Sequence, residues 1–253
     1  MAMVEIIAHR GYHKKERENT IGAFLSAVEI GADWVELDVW RTEDGVLVVY
    51  HNPAVDTDEP WFLPEEERKH TLVRDLRYEE FASICKSRGF DPPVLDEVLS
   101  TLRGKIKVDI EVKMPGIEKD VLHAVENTNS ADSVMFSSFY DVVLREFYRL
   151  APDIPRGMIL GFPVAALGHR LTEFWPYKRM EIVGAEYVIP HEKLLMCRGY
   201  IWQVHRHGKK IWPWPVNDQK KIKKLIRSGV DGIITDRPDV ALKVREEMQV
   251  RRR

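Results

Sequence analysis

The sequence predicts an α/β protein of the TIM (β/α)8 class, on three observations. Short β-branched runs alternate with longer amphipathic segments almost from end to end, the pattern of repeated βα units. Eight such runs are found, and 253 residues is the usual length of one eightfold barrel. Two of the strands carry carboxylates at alternate positions near their C-terminal ends, where barrels of this class place their chemistry.

The elements follow in order. Residues 4–8 form the first expected strand, and Thr20 caps a helix over 20–30 that Gly31 closes. The second strand spans 34–40. At Gly45 the chain turns into an extra apolar strand, 46–50, so the first crossover is a hairpin-like excursion rather than a helix alone. The charged, proline-rich stretch 53–70 reads as a loop and 77–86 as a short helix. The whole excursion, about 46–91, is expected as a small insertion at the barrel mouth, because it leads out of His51. Regular alternation then resumes. Strands are expected at 105–112, 133–137, 157–160, 185–189, 210–213 and 232–235. Helices are expected at 95–102, 118–127, 141–150, 164–175, 193–207, 218–228 and 238–247. Asp218 suits an N-cap, Pro238 a first helical turn, and Gly229 a helix end. No repeat or low-complexity tract stands out, and one domain over 1–253 suffices.

Composition narrows the function classes. With 38 basic against 40 acidic residues the net charge is -2, which leaves no overall electrostatic footprint for nucleic acid. No apolar run approaches the length of a bilayer span, and no signal peptide is apparent. Cys85 and Cys197 lie far apart without metal-type spacing and read as inert thiols, so a reducing, cytoplasmic setting is expected. Nothing in the sequence sets an oligomeric state.

The chemistry concentrates on two strands. In Val35-Glu36-Leu37-Asp38-Val39 the alternation of strand side chains puts Glu36 and Asp38 on one face and the apolar residues on the other. In a barrel the apolar set meets the helices and the carboxylates point inward. The next barrel strand repeats this, with Ile110 and Val112 outward and Asp109, Glu111 and Lys113 inward. Crowded carboxylates repel one another and raise each other's pKa, and a hard divalent cation resolves that conflict. The alternative is an inward salt-bridge layer around Lys113. Asp109, deeper on its strand, reads as structural. His9 and His51 close apolar strands at the end where chemistry is expected, and paired there they suit a general base and a general acid. Arg10 can grip phosphate oxygens through its planar fork, and Lys113 adds positive charge.

These segments resemble the glycerophosphodiester phosphodiesterase family, a branch of the phospholipase-C-like phosphodiesterases. The match runs through His9-Arg10-Gly11, Glu18-Asn19-Thr20, Gly31-Ala32-Asp33, Glu36-Leu37-Asp38-Val39, Thr42-Glu43-Asp44-Gly45 and His51. It continues through Pro93-Val94-Leu95-Asp96-Glu97, Glu111-Val112-Lys113, Ser137-Ser138-Phe139, Trp214-Pro215-Val216-Asn217 and the stretch from Gly229 to Asp236. The resemblance implies one divalent cation, Mg²⁺ or Ca²⁺ with Mn²⁺ as a third candidate, held by Glu36, Asp38 and Glu111. It implies acid–base roles for His9 and His51, and substrate or phosphate contacts from Arg10, Lys113 and the mouth residue Trp214. The implied substrates are small glycerophosphodiesters, cut to glycerol phosphate and an alcohol. The rival readings are a lysophospholipase D acting on lipid phosphodiesters and a catalytically silent phosphodiester-binding barrel. This chain departs from the family pattern at Arg17, where proline is common, and at Asn52 and Tyr140, where aspartate is common.

Trp214 also reads as a rim or core aromatic, and Phe136, Phe139 and Phe162 as core first and mouth second. His205 and His207 belong to a basic stretch expected at the opposite end of the barrel, and Lys220, Lys221, Lys223 and Lys224 to a solvated helix face.

Overall fold

The computed structural model describes residues 3–55, 71–161, 173, 175–196 and 199–250. Its strands are β1 (Glu5–Ala8), β2 (Trp34–Arg41), β3 (Leu47–Val49), β4 (Lys107–Val112), β5 (Val134–Ser138), β6 (Arg156–Leu160), β7 (Tyr187–Pro190), β8 (Lys210–Ile211) and β9 (Gly232–Thr235). Eight of them run parallel in the order β8-β7-β6-β5-β4-β2-β1-β9, and β3 pairs antiparallel with β2 off that path. The last seam, between β8 with the residues after it and β9, is carried by backbone bonds from Asp231 N to Ile211 O (3.1 Å), from Ile234 N to Pro213 O (3.0 Å) and from Val216 N to Ile234 O (3.0 Å). Pro213 has no N–H to give back, which is why this seam is sparse. The Asp231 carboxylate reinforces it by accepting from Ile211 N at 2.8 Å. The result is a nearly closed TIM barrel.

Around it lie α1 (Ile21–Glu29), α2 (Tyr78–Ser87), α3 (Leu95–Leu102), α4 (Glu118–Asn127), α5 (Asp141–Leu150), α6 (Tyr177–Ile182), α7 (Tyr200–Arg206), α8 (Gln219–Ser228) and α9 (Pro238–Val250). Helix starts follow the expected chemistry. The Thr20 hydroxyl accepts from Ala23 N, the Asp218 carboxylate accepts from Lys221 N, and Gly229 ends α8 at φ 86°.

One expectation changes. The helix expected over 193–207 is a 3-10 turn, Glu192–Met196, followed by the short α7. Gly199, at φ 91°, sits in the left-handed region and separates the two. The helix expected over 164–175 falls almost wholly outside the described residues, as do most of loop 53–70, Phe162, Cys197 and the C-terminal arginines. The described helix of that crossover is α6, which starts one residue after Pro176.

Strand alternation sorts the core into layers. Val35, Leu37, Val39, Val108, Ile110 and Val112 face outward against the helices and are buried there. Inside the barrel Ile7, Met135, Ile159, Ile189, Trp212 and Ile234 form an apolar plug. Trp212 fills its centre, edge-on to Trp34 at 5.2 Å, and fits because Gly232 has no Cβ, which would stand 2.6 Å from the indole. A separate small core, with Trp40, Tyr50, Phe81 and buried Cys85, packs α2 and the hairpin together. No described helix is long and apolar enough to cross a membrane.

Candidate active site

The register of β2 against β4 builds the centre. Glu36 pairs with Asp109 and Asp38 with Glu111, so four inward carboxylates stack in two rungs of the barrel. All four are buried. One carboxylate oxygen each from Glu36, Asp38 and Glu111 lie within 4.8 Å of one another. Burial raises the pKa of Glu36 and of Glu111, and in both the neighbouring Asp38 charge raises it further. Asp109, in the lower rung, is pushed by burial to about 8 and is neutral at pH 7. Asp38 behaves oppositely. Burial would raise it, but Lys113, Arg10 and His51 and a hydrogen bond from Asn19 outweigh that and hold it far below the usual carboxylate range.

Cations are threaded through the cluster. Lys113, the residue after β4, bridges Asp38 Oδ1 at 3.0 Å and Glu111 Oε1 at 2.7 Å. Arg10 sets its Nε 3.3 Å from Asp38 Oδ2 and donates through Nη1 to Glu18 Oε1 at 3.0 Å. The salt-bridge reading around Lys113 therefore describes real contacts, but it leaves the donor set incomplete. Glu36 Oε1 is buried and has no hydrogen-bond partner. An orphaned carboxylate oxygen beside two other carboxylates is what a hard divalent cation fits.

Local backbone geometry explains the first loop. Arg10 has φ 56° and Gly11 φ 80°. This turn aims Arg10 N–H at Glu36 Oε2, 2.9 Å away. At Gly11 a Cβ would stand 2.7 Å from the carbonyl carbon of Ala23, so only glycine lets the loop lie against α1. Asn19, also left-handed at φ 56°, clamps Asp38 by donating through Nδ2 to Oδ2 at 2.8 Å. Asparagine tolerates that conformation better than most residues.

The two histidines are held alike. His9 Nδ1 donates to Asp236 Oδ1 at 2.6 Å, and His51 Nδ1 donates to Asn52 Oδ1 at 2.8 Å. Each ring thereby keeps its hydrogen on Nδ1 and presents Nε2 as a free nitrogen. His9 Nε2 lies 3.9 Å from Glu36 Oε2. Burial lowers both pKa values, and that of His51 falls to about 3. Asp236 is itself fixed, with Asn217 Nδ2 donating to Oδ2 at 2.5 Å and Asp236 N donating to Asn217 Oδ1 at 2.9 Å. Burial would raise Asp236, but the hydrogen bond from His9 prevails and keeps it ionised.

The structure thus brings His9, Arg10, Glu36, Asp38, His51, Glu111 and Lys113 to one place. Trp214 stands elsewhere on the rim, after β8. Its ring meets Phe139 at 5.6 Å and His191 at 5.3 Å, both edge-on. Phe136 belongs to the outer core. His205 pairs with Asp231 at 2.9 Å and His207 stacks on Tyr177, so neither joins the centre. Asp236, Asn217 and Asn19 carry no role in the sequence reading, whereas Asn52, which stands where aspartate is common, orients its neighbour His51 through the amide as that reading allowed. Asp236 carried a usable signal, since it directly follows a barrel strand at the same rim as His9.

Comparisons with known proteins point to one family. Residues 9–240 match the model of the glycerophosphoryl diester phosphodiesterase family. The chain is 34% identical to a glycerophosphodiester phosphodiesterase of Bacillus altitudinis, over 98% of this chain and 100% of that protein. It is 32% identical to one from Caldanaerobacter subterraneus subsp. tengcongensis, over 94% of this chain and 96% of the relative. Among solved structures it superposes on a glycerophosphodiester phosphodiesterase from Parabacteroides distasonis with a TM-score of 0.78 and 25% identity, covering 97% and 98% of the two chains.

Proposed function

Because the chain belongs to the glycerophosphoryl diester phosphodiesterase family, we propose that it hydrolyses glycerophosphodiesters to glycerol phosphate and an alcohol through paired histidine acid–base catalysis. The observation that carries this reading is the matched pair of rings, His9 and His51, each anchored at Nδ1 and each flanking one carboxylate cluster. A binding protein has no need of two oriented proton-transfer groups.

Glu36, Asp38 and Glu111 would hold the cation, and the orphaned Glu36 oxygen supports that assignment. A divalent ion bound there, Mg²⁺, Ca²⁺ or Mn²⁺, supplies a Lewis acid for a phosphoryl oxygen. The other steps belong to the chain. Arg10 and Lys113 meet the phosphodiester charge with a planar fork and a point charge. His9 takes the nucleophile's proton at Nε2, and the Asp236 carboxylate stabilises the imidazolium that results. His51 gives a proton to the departing alkoxide. Burial, Lys113, Arg10 and His9 hold its pKa near 3 in the free protein, while the Asp38 charge pulls it up. A bound phosphodiester anion adds negative charge beside His51 and raises its pKa in the substrate complex.

The preferred substrates are small diesters whose alcohol is choline, ethanolamine or glycerol. Segment 46–91 acts as an insertion at the mouth that delivers His51. A cytoplasmic setting suits the free, buried thiol of Cys85. The test is release of glycerol phosphate from glycerophosphocholine, with chelator and then with Mg²⁺, Ca²⁺ or Mn²⁺ restored. Activity lost to chelator and regained with one cation is expected. Release from a lysophospholipid alone would move the assignment to lipid substrates, and no release from either would leave a silent binder.

A further inference from the structure

The chain is nearly neutral, yet its charge is unevenly spread. Residues 192–228 contain ten Lys and Arg against two carboxylates, so the remaining chain holds 28 against 38. The fold gathers much of this excess on one wall, where α7 and α8 lie side by side. Helix α8 buries Ile222 and Ile226 and exposes Lys220, Lys221, Lys224 and Arg227. It contains no acidic residue. Among the described residues only Lys221 of this group has an ion-pair partner, Glu192, at 2.7 Å.

Large aromatic side chains are exposed on the same wall. Trp202 of α7 is 61% exposed, and Trp175, just before α6, is 66% exposed. Hydrogen bonds from Tyr200 Oη to the Glu173 carbonyl (3.0 Å) and from Tyr177 Oη to Gln203 (3.3 Å) tie their backbones to one stretch of surface. The Arg206 guanidinium sits over the Trp202 ring at 5.2 Å. Between α7 and α8 a cleft of about 240 Å³ has an apolar floor of Leu195, Ile201 and Leu225 under Lys193, Lys221 and Lys224. Exposed tryptophan on a wall that also carries unpaired lysine and arginine is the composition of a membrane–water interface, where indole settles at head-group depth and cationic groups meet anionic lipid.

We propose that the α7–α8 wall is a docking surface for an anionic phospholipid bilayer. The occupant follows from charge complementarity together with the two exposed indoles, which an electrostatic contact alone would leave unexplained. Lys221, at the top of the patch, pairs with Glu192, whose backbone N–H donates to the Trp214 carbonyl at 2.8 Å. The wall therefore adjoins the Trp214 side of the mouth, and docking holds the barrel opening beside the lipid surface. Binding at this wall uses none of the residues assigned to hydrolysis.

The test is co-sedimentation of the full chain with vesicles of phosphatidylcholine alone and of phosphatidylcholine mixed with phosphatidylglycerol, at low and high salt. Binding to the mixed vesicles only, weakening with salt, is expected. The variant Lys220→Gln/Lys224→Gln/Arg227→Gln is expected to bind at least about tenfold more weakly, since each cation near an anionic surface is worth a severalfold change. Trp202→Ser is expected to lose a severalfold part of the binding as well. Hydrolysis of soluble glycerophosphocholine reports folding of both variants and stays unchanged, while failure of the wild type to hydrolyse it leaves the vesicle result independent. Three outcomes would overturn the proposal: no binding to mixed vesicles, equal binding of the wild type to neutral ones, or unaltered binding by the triple variant. Capture of duplex DNA in place of vesicles, or a concentration-dependent dimer abolished by the same substitutions, would overturn it too.

Discussion

The barrel rim has two unlike halves. On the side of β1, β2 and β4 the inward positions are His9, Arg10, Glu36, Asp38, Glu111 and Lys113, nearly all charged and nearly all buried. On the side of β6, β7 and β8 the rim carries Trp214 against His191 and Phe139, and the charges beside them, Glu192 and Lys221, are paired with each other. The first half spends stability, because buried like charges cost free energy that packing elsewhere must offset. The second half costs nothing of the kind. Under the proposed function this contrast implies a division of labour, with bond breaking assigned to the charged side and the alcohol end of the substrate to the aromatic side.

Substitutions on the charged side test that division most severely. His9→Ala and His51→Ala are expected to lower turnover by about 10²–10⁴-fold, the usual contribution of a general acid or base. Far-ultraviolet circular dichroism should show the fold retained, and near-normal release of glycerol phosphate by either variant would remove that histidine from the mechanism. Glu36→Gln and Glu111→Gln keep the shape of the cluster and remove charge. Each should raise the cation concentration for half-maximal activity by more than about tenfold, the least that changes even to the outer partners of metal ligands typically cost. A cation titration unchanged in both variants would defeat the ligand assignment.

The support behind His9 sharpens the comparison from a step away. Asp236→Asn keeps the hydrogen-bonding shape but loses the charge that stabilises an imidazolium. A charge-assisted bond of this kind contributes about 1.5–3 kcal/mol, so kcat should fall roughly ten- to a hundredfold while KM holds. A change in KM alone would make Asp236 a binding residue. On the aromatic side Trp214→Ala should act the other way. It should raise KM for glycerophosphocholine by about tenfold or less, since an aromatic contact gives about 0.5–1.5 kcal/mol, with kcat nearly intact. A collapse of kcat in this variant would erase the division between the halves.

How much of this was legible depended on the range of the interaction that decides it. Strand alternation is local, so the inward Glu36 and Asp38 and the outward Val35 and Leu37 could be read from five consecutive residues. The 3-10 turn and short α7 in place of one helix over 193–207 could not, because the periodicity there outweighed Gly199 until its left-handed φ was seen. The Asp236–His9 bond joins residues 227 positions apart and exists only because β9 closes against β1. The charge excess over 192–228 was present in the sequence, but a whole-chain balance of -2 conceals it. The exposure of Trp202 follows from the orientation of α7, which the sequence alone does not set.

The mildest test concerns Asp109, which lies on the charged half below the site. Burial lifts its pKa to about 8, against an ordinary unfolded value of about 3.9. Between those pH values the folded chain holds a proton that the unfolded chain has released. Stability from this group is therefore fully present below about pH 4 and drains away as pH rises towards 8. Glu36 and Glu111 are shifted in the same direction, so the wild type alone cannot isolate Asp109. Asp109→Asn can, because an amide keeps the shape of the neutral acid and cannot ionise. Urea unfolding with chelator present, at pH 5 and pH 8, should show the variant losing less stability than the wild type across that interval. Turnover at saturating cation should change less than in the His9, His51, Glu36, Glu111 and Asp236 variants. Equal losses in the two proteins would mean that Asp109 is ionised in the fold, and the lower rung would then belong with the cation-binding carboxylates.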